Sequence, residues 1–273
     1  SSDLSRILEG NQIRFEHDSF RISTLDIVAC VGFAVFLTVV SVVVRWAIPV
    51  VDKWTDRAVK KPWLRAAVGG LIVGLIGLFS TDVLGEGYRA VNMLIDEVSQ
   101  PILSTALLLI LAKVAATSLT LGTGSAGGIF APCLVIGSFA GVAYWQTLVH
   151  AWPQVNWVGS GCFALLGMAG MISGVIHAPL TGIFMIVEIT GGYEVILPLI
   201  LVSVSTMALC RLFYPASVYH QELIERGQFL RPRTDARLLA DLHVMELIER
   251  HVVTVKSDIL LREVKDPRLQ MVA

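Results

Sequence analysis

A glycine-rich segment at residues 124–132, Gly-Ser-Ala-Gly-Gly-Ile-Phe-Ala-Pro, carries the clearest chemical signal in this sequence. Pro132 suits the first turn of a helix, and the glycines let the backbone bend and approach a ligand closely. We therefore expect the amides of Gly128, Ile129 and Phe130 to be free donors at a helix N-terminus. Such an end carries about half a positive charge and can stabilise an anion. Spacing alone leaves open a loop whose glycines only serve helix packing.

Lys113 and Glu188 border a long uncharged stretch. No Asp, Glu, Lys or Arg lies between them. An ionisable residue inside an apolar segment is a functional candidate by default. Thr181 and Thr190 could instead hold Glu188 as a structural group. Lys113 is interpreted as structural, or as snorkelling to an interface.

Ser125 and His177 raise a different hypothesis, an intramembrane serine hydrolase. The Gly-x-Ser-x-Gly motif would need glycine where Thr123 stands, and no acidic residue is placed to orient the histidine. A non-catalytic membrane scaffold is a third class of function. The four cysteines lie far apart without Cys-x-x-Cys spacing, so neither a metal site nor a disulfide framework is predicted.

The composition points to a lipid-embedded chain. Hydrophobic residues make up 55% of it and charged residues only 16%, whereas soluble domains carry about 25% charged residues. The formal net charge of −1 gives no indication of nucleic-acid binding. The predicted membrane-spanning segments are residues 25–51, 66–81, 101–121 and 195–213. A basic connection at residues 53–65 is expected on the cytoplasmic side.

The uncharged stretch must fold back several times, since one helix crosses the bilayer in about 20 residues. Breaks are predicted at residues 122–132, 152–161 and 177–179. The last helix, 179–190, is too short to span. Small-xxx-small spacing for close helix packing occurs at Gly70/Gly74, Gly137/Gly141 and Gly170/Gly174.

Three separated blocks of this sequence resemble the CLC chloride channel and transporter family. The first block is residues 127–132. The second consists of the segments 167–170, 177–182, 187–190 and 196–198. The third is residues 217–219. The resemblance covers about residues 25–227. It implies an all-α integral membrane protein, a multi-span bundle with broken and half-membrane helices. It also implies transport of chloride, by a voltage-gated-type channel or a chloride/proton antiporter, with no cofactor.

The resemblance also implies the roles of individual residues. Gly128, Ile129 and Phe130 are the expected chloride-binding residues at the helix start, and the Tyr219 hydroxyl is the expected ligand on the cytoplasmic side. Without the resemblance, Tyr219 is typical of an interfacial tyrosine. Glu188 matches a position related by the internal repeat to the proton-handling glutamates, which lie in the family's N-terminal half. A direct transport role and a structural role for Glu188 both stay open.

The domain prediction has three parts: an extramembrane loop at 1–24, the C-terminal half of a CLC-like membrane domain at 25–229, and a cytoplasmic linker with a truncated CBS start at 230–273. We expect the chain to be a fragment that lacks the family's other chloride-binding loops. The CBS region would bind adenosine nucleotides only if it were complete. The family further implies a multi-pass protein of the inner or plasma membrane, and a homodimer through helices 179–190 and 195–213.

Overall fold

The computed structural model describes residues 23–79, 83–85, 87–96, 101–190, 193 and 195–225. These ranges contain nine α-helices and no strand, which confirms the all-α prediction. The helices are α1 (Thr24–Ala58), α2 (Pro62–Phe79), α3 (Tyr88–Ile95), α4 (Leu103–Gly122), α5 (Phe130–Ala151), α6 (Ser160–Ile176), α7 (Pro179–Thr190), α8 (Ile196–Phe213) and α9 (Val218–Glu225). The loop predicted at 1–24 lies almost wholly outside the described residues. The CBS start at 230–273 lies entirely outside them, and the three domain boundaries stay predictions.

Four apolar segments of the described chain are long enough to cross a membrane: Leu25–Ala58, Leu103–Gly122, Phe130–Ala151 and Ile196–Gln221. Helices α2, α6 and α7 are apolar but shorter. The 12 residues of α7 would extend about 18 Å at 1.5 Å per residue, less than the hydrocarbon core of about 30 Å. The chain is therefore an integral membrane protein that combines spanning helices with shorter ones.

The basic segment at 53–65 is mostly helical, so the connection predicted there is wrong in extent. Helix α1 continues to Ala58 and α2 begins at Pro62. Lys and Arg are good helix formers, so polarity does not end α1. Pro62 disfavours a helical conformation at the residue before it and suits the first position of α2. The break between the two helices is therefore only three residues long.

Helix α6 forms the centre of the bundle. All of its residues from Ser160 to Val175 are buried, and it contacts α1, α5, α7 and α8. Helix α5 packs closely against it, because a Cβ atom on Gly137 or Gly141 would collide with the backbone of α6. This close packing fixes the position of α5, whose N-terminus is the predicted anion site.

The three small-xxx-small pairs differ in what they contact. The pair Gly170/Gly174 faces α1 and α8, where Cβ atoms would meet Leu37 and Ser41. Around Gly70 and Gly74 there is open space among the described residues. The prediction of close packing is thus correct for two pairs and finds no support for the third. Spacing alone does not identify which helix face has a neighbour.

Candidate functional site

The connection from α4 to α5 begins with a glycine that the backbone requires. Gly124 has φ 76° and follows the C-cap residue Thr123, a position where glycine is favoured because it lacks Cβ. The amide of Gly124 donates to the carbonyl of Leu121 at 3.1 Å, and the amide of Ser125 to that of Thr120 at 3.2 Å. These bonds end α4 and turn the chain towards α5.

Residues near the α1–α2 corner hold this connection in place. Thr55 Oγ1 donates to the carbonyl of Gly122 at 2.9 Å. Arg65 Nε donates to the carbonyl of Thr123 at 3.3 Å, and its NH1 atom bonds Asp56 at 3.0 Å. These bonds fix the end of α4, from which the chain continues to the start of α5.

Helix α5 begins without a side-chain cap. Ile129 is its N-cap residue, with φ −88° and ψ −16°, and its carbonyl accepts from the amide of Cys133 at 3.1 Å. The amides of Ile129, Phe130 and Ala131 have no acceptor among the described residues. Pro132 has no N–H. Three backbone donors are therefore available at an end that already carries partial positive charge.

A cavity of about 530 Å³ lies at this end of α5. Its lining includes Gly127, Gly128, Phe130, Ala131, Pro132, Lys113, Tyr88, Thr117, Thr120 and Val83. A Cβ atom on Gly128 would meet nothing within 4 Å, so the backbone of Gly128 borders open space. The structure thus joins the glycine-rich segment to an accessible volume at a helix start.

Lys113 lies beside the same cavity, and of its two interpretations the structure favours the structural one over snorkelling to an interface. The residue is 3% exposed, and its Nζ donates to the carbonyls of Val83 and Gly85, both at 2.8 Å. Two carbonyl acceptors partly offset the cost of burying the ammonium. The sequence interpretation did not connect this charge with the anion site, because the two come together only through folding of α4 against α5.

Tyr219 is the second residue of α9. Ser217 caps this helix, since its Oγ accepts from the amide of His220 at 3.4 Å. Tyr219 is not among the described residues that line the cavity at the start of α5. The side chain is 57% exposed. Of the predicted chloride-binding residues, Gly128 and Phe130 line the cavity and Ile129 is the N-cap of α5, whereas the role of Tyr219 stays a prediction.

Glu188 lies elsewhere. It is exposed on α7 and is not among the residues that line the cavity. No hydrogen bond or ion pair of its carboxylate is recorded within the described chain. The hydroxyl of Thr190 donates to the carbonyl of Ile186 at 2.8 Å. The structure therefore does not bring Glu188 to the start of α5.

The serine and histidine of the hydrolase hypothesis have different partners. The hydroxyls of Ser125 and Thr123 lie 3.2 Å apart. The Nε2 atom of His177 lies 2.7 Å from NH1 of Arg45. Because each side chain is engaged by another residue, the serine–histidine pair that nucleophilic catalysis needs is not formed here.

Sequence reasoning missed the role of Arg45, which lies inside the first predicted span at residues 25–51. The residue is 3% exposed and bonds groups from several elements. The available signal was a single arginine close to the end of a long uncharged run, at residues 27–44. Charged residues in such positions usually face the bundle interior.

Comparison with known proteins agrees with this architecture. The profile of the family described as "Voltage gated chloride channel" matches residues 2–211, which include the start of α5 but not Tyr219. The chain is 29% identical over 212 residues to the H(+)/Cl(−) exchange transporter ClcA of Vibrio cholerae, covering 76% of this chain and 44% of that protein. It is 34% identical over 166 residues to the voltage-gated ClC-type chloride channel ClcB of Escherichia coli, covering 61% and 39% respectively.

A solved structure supports the same relationship. The chain resembles the crystal structure of a slow cyanobacterial Cl−/H+ antiporter with a TM-score of 0.71 and 25% identity, covering 83% of this chain and 53% of that one. The chain thus spans less than half of the two curated relatives and about half of this neighbour. Because the family profile matches most of its length, the chain belongs to the voltage-gated chloride channel family.

Proposed function

We propose that this protein transports chloride across a membrane and that the start of α5 forms part of the chloride pathway. The observation that carries this proposal is the uncapped N-terminus of α5, where the amides of Ile129 and Phe130 have no acceptor among the described residues and a cavity of about 530 Å³ is lined by Gly128 and Phe130. The names of the relatives, an exchange transporter and a channel, are consistent with this ligand.

Backbone amides suit a transported anion better than a direct cation would. A helix end offers about half a positive charge, and a conducting site must bind the ion weakly enough to release it. Lys113 supplies a full charge beside the cavity, but its ammonium donates to two carbonyls. Its charge therefore raises the local potential while Gly128, Ile129 and Phe130 provide the ligands.

Tyr219 is proposed as the hydroxyl ligand on the cytoplasmic side of this site. A phenol donates one hydrogen bond without carrying charge, and Tyr219 lies at the start of α9 with its side chain 57% exposed. Ser217 caps the N-terminus of the short α9 that carries Tyr219. Glu188 is proposed as a structural carboxylate, because it lies on α7 and outside the cavity lining.

The exposed face of α7 supports a homodimer as part of the same proposal. Leu180 and Phe184 are 65% and 61% exposed, and Glu188 follows one turn later on the same face. A carboxylate is costly against lipid, so this face is expected to meet protein. Exposed apolar residues of α8, such as Leu197 at 76%, extend the proposed interface. The basic α1–α2 corner favours a cytoplasmic location for that corner. A cytoplasmic C-terminal tail and a location in the inner or plasma membrane are proposed from the family resemblance alone.

Chloride efflux from liposomes tests the function in the full-length protein. Liposomes loaded with KCl are triggered with a potassium ionophore, and external chloride is measured with a selective electrode. We expect efflux, and we expect Tyr219→Phe to weaken chloride binding about tenfold, since it removes one hydrogen bond to a charged ligand. Tyr193→Phe is the matched control, because Tyr193 is 74% exposed. Absence of efflux from folded protein would favour the membrane scaffold instead.

A further inference from the structure

Arg45 is a buried arginine whose partners lie on three other parts of the fold. It sits on α1, in the described membrane region, and is 3% exposed. Burying a guanidinium costs several kcal/mol unless hydrogen bonds satisfy it. Such a residue is expected to have a defined role where the chain keeps it inside a membrane helix.

The first partner is His177, between α6 and α7. NH1 of Arg45 and Nε2 of His177 are 2.7 Å apart. Arginine can only donate, so Nε2 must accept, and the imidazole proton is on Nδ1. His177 also has φ 62°, a left-handed conformation that usually selects glycine or asparagine at a helix C-terminus. The bond to Arg45 gives a physical reason for histidine at this position.

The remaining partners belong to the segment that carries Tyr219. NH2 of Arg45 donates to the carbonyl of Ala216, and it approaches Oε1 of Gln221 at 3.5 Å. The guanidinium also lies 4.5 Å from the ring centroid of Tyr214, within cation–π range. Ala216 precedes Tyr219 by three residues and Gln221 follows it by two. The contacts of Arg45 therefore bracket the proposed chloride ligand.

Helix α9 needs such contacts to have a fixed position. It has eight residues, and isolated helices shorter than about 12 residues are marginal in water. Among the described residues, α9 contacts α6, Val218 packs against the hydrophobic core, and Gln221 lies 3.5 Å from Arg45. A displacement of α9 would move the Tyr219 hydroxyl relative to the first turn of α5.

We propose that Arg45 is a positioning residue for Tyr219. It joins α1 and the α6–α7 connection to the α8–α9 connection, and so fixes the position of the segment that carries Tyr219. This inference rests on the proposed chloride site, to which Tyr219 contributes a hydroxyl. Arg45 then affects chloride affinity only through the placement of that hydroxyl, without touching the anion.

A double-mutant cycle in the full-length protein tests the proposal, with chloride affinity measured by isothermal titration in detergent and the thermal midpoint measured in parallel. Arg45→Lys keeps the charge but loses the planar fork. Tyr214→Leu keeps Arg45 but removes the aromatic ring that the guanidinium contacts. This second variant tests the proposal if Arg45→Lys fails to fold. Arg57→Lys, on the exposed last turn of the same helix, is the control.

We expect Arg45→Lys and Tyr214→Leu each to weaken chloride binding by about tenfold, and to have less than about a twofold effect in the Tyr219→Phe background. Arg57→Lys leaves the affinity unchanged in both backgrounds. Equal effects in both backgrounds would overturn the proposal and leave Arg45 as a packing residue. A Tyr219→Phe protein with unchanged chloride affinity would instead contradict the ligand role of Tyr219, and the inference would fall with it.

Discussion

The carboxylate of Asp26 accepts a hydrogen bond from the backbone amide of Val158 at 3.1 Å, which ties the first turn of α1 to the α5–α6 connection. Asp26 is 2% exposed and also accepts from the Ser23 amide and hydroxyl, both at 2.8 Å. One side chain thus closes the capping box of α1 and satisfies a distant backbone donor. This contact holds together segments 132 residues apart in sequence.

Asp26→Ala should lower the free energy of unfolding by about 2 kcal/mol, because it leaves a buried amide unsatisfied and removes a helix cap. Asp52→Ala is the matched control, since Asp52 is exposed and its ion pair with Arg65 is 3.8 Å long; exposed pairs contribute about 0–1 kcal/mol. Denaturant titration in mixed micelles measures both variants. Equal losses would show that the Asp26 bonds add nothing beyond a surface pair.

Gly141→Ala should destabilise the bundle by about 1–3 kcal/mol or more, which is the loss in stability typical of overpacking. A Cβ there would collide with the backbone of α6 at Phe163 and Ala164, which cannot move as a side chain can. Gly74→Ala provides the comparison, because its Cβ would meet nothing within 4 Å. Thermal denaturation monitored by tryptophan fluorescence compares the two variants. A stable Gly141→Ala protein would refute the close approach of α5 and α6.

Lys113→Met should weaken chloride binding and also lower stability by about 2 kcal/mol. The substitution leaves the carbonyls of Val83 and Gly85 without their charged donor. It also removes the positive charge beside the cavity at the start of α5. Lys53→Met, at an exposed position on α1, controls for the loss of charge. Titration of chloride at two ionic strengths separates local from screened effects, and unchanged affinity would argue against an electrostatic contribution from Lys113.

Gly128→Ala should leave stability within about 0.5 kcal/mol of the parent while weakening chloride binding. Its Cβ would point into open space, so no neighbour must move. The added methyl group would, however, restrict close approach to the amides of Ile129 and Phe130. Gly127→Ala is a useful contrast, because its Cβ would lie 3.0 Å from Thr120 Cγ2 and strain the loop. A Gly128→Ala protein with normal chloride affinity would place the anion away from this backbone.

Much of the helix pattern follows from the sequence because apolar length and breaking residues act locally. The predicted break at 122–132 corresponds to the connection between α4 and α5, and the short helix at 179–190 has the predicted bounds. Proline and glycine act on the local backbone, although Pro49 lies inside α1 and does not end it. The predicted end of the first span at residue 51 was wrong, because residues 52–58 contain no proline or glycine and α1 continues to Ala58.

The sequence by itself determined that the chain is embedded in lipid and that a glycine-rich helix start lies within an uncharged region. Only the tertiary structure decided which groups meet there. Lys113 reaches the cavity, Glu188 does not, and Arg45 joins the segments on either side of Tyr219. These relations join residues far apart in sequence, so they depend on how the helices pack. Hydrophobic periodicity specifies that a helix has a buried face and leaves the neighbour of that face unspecified.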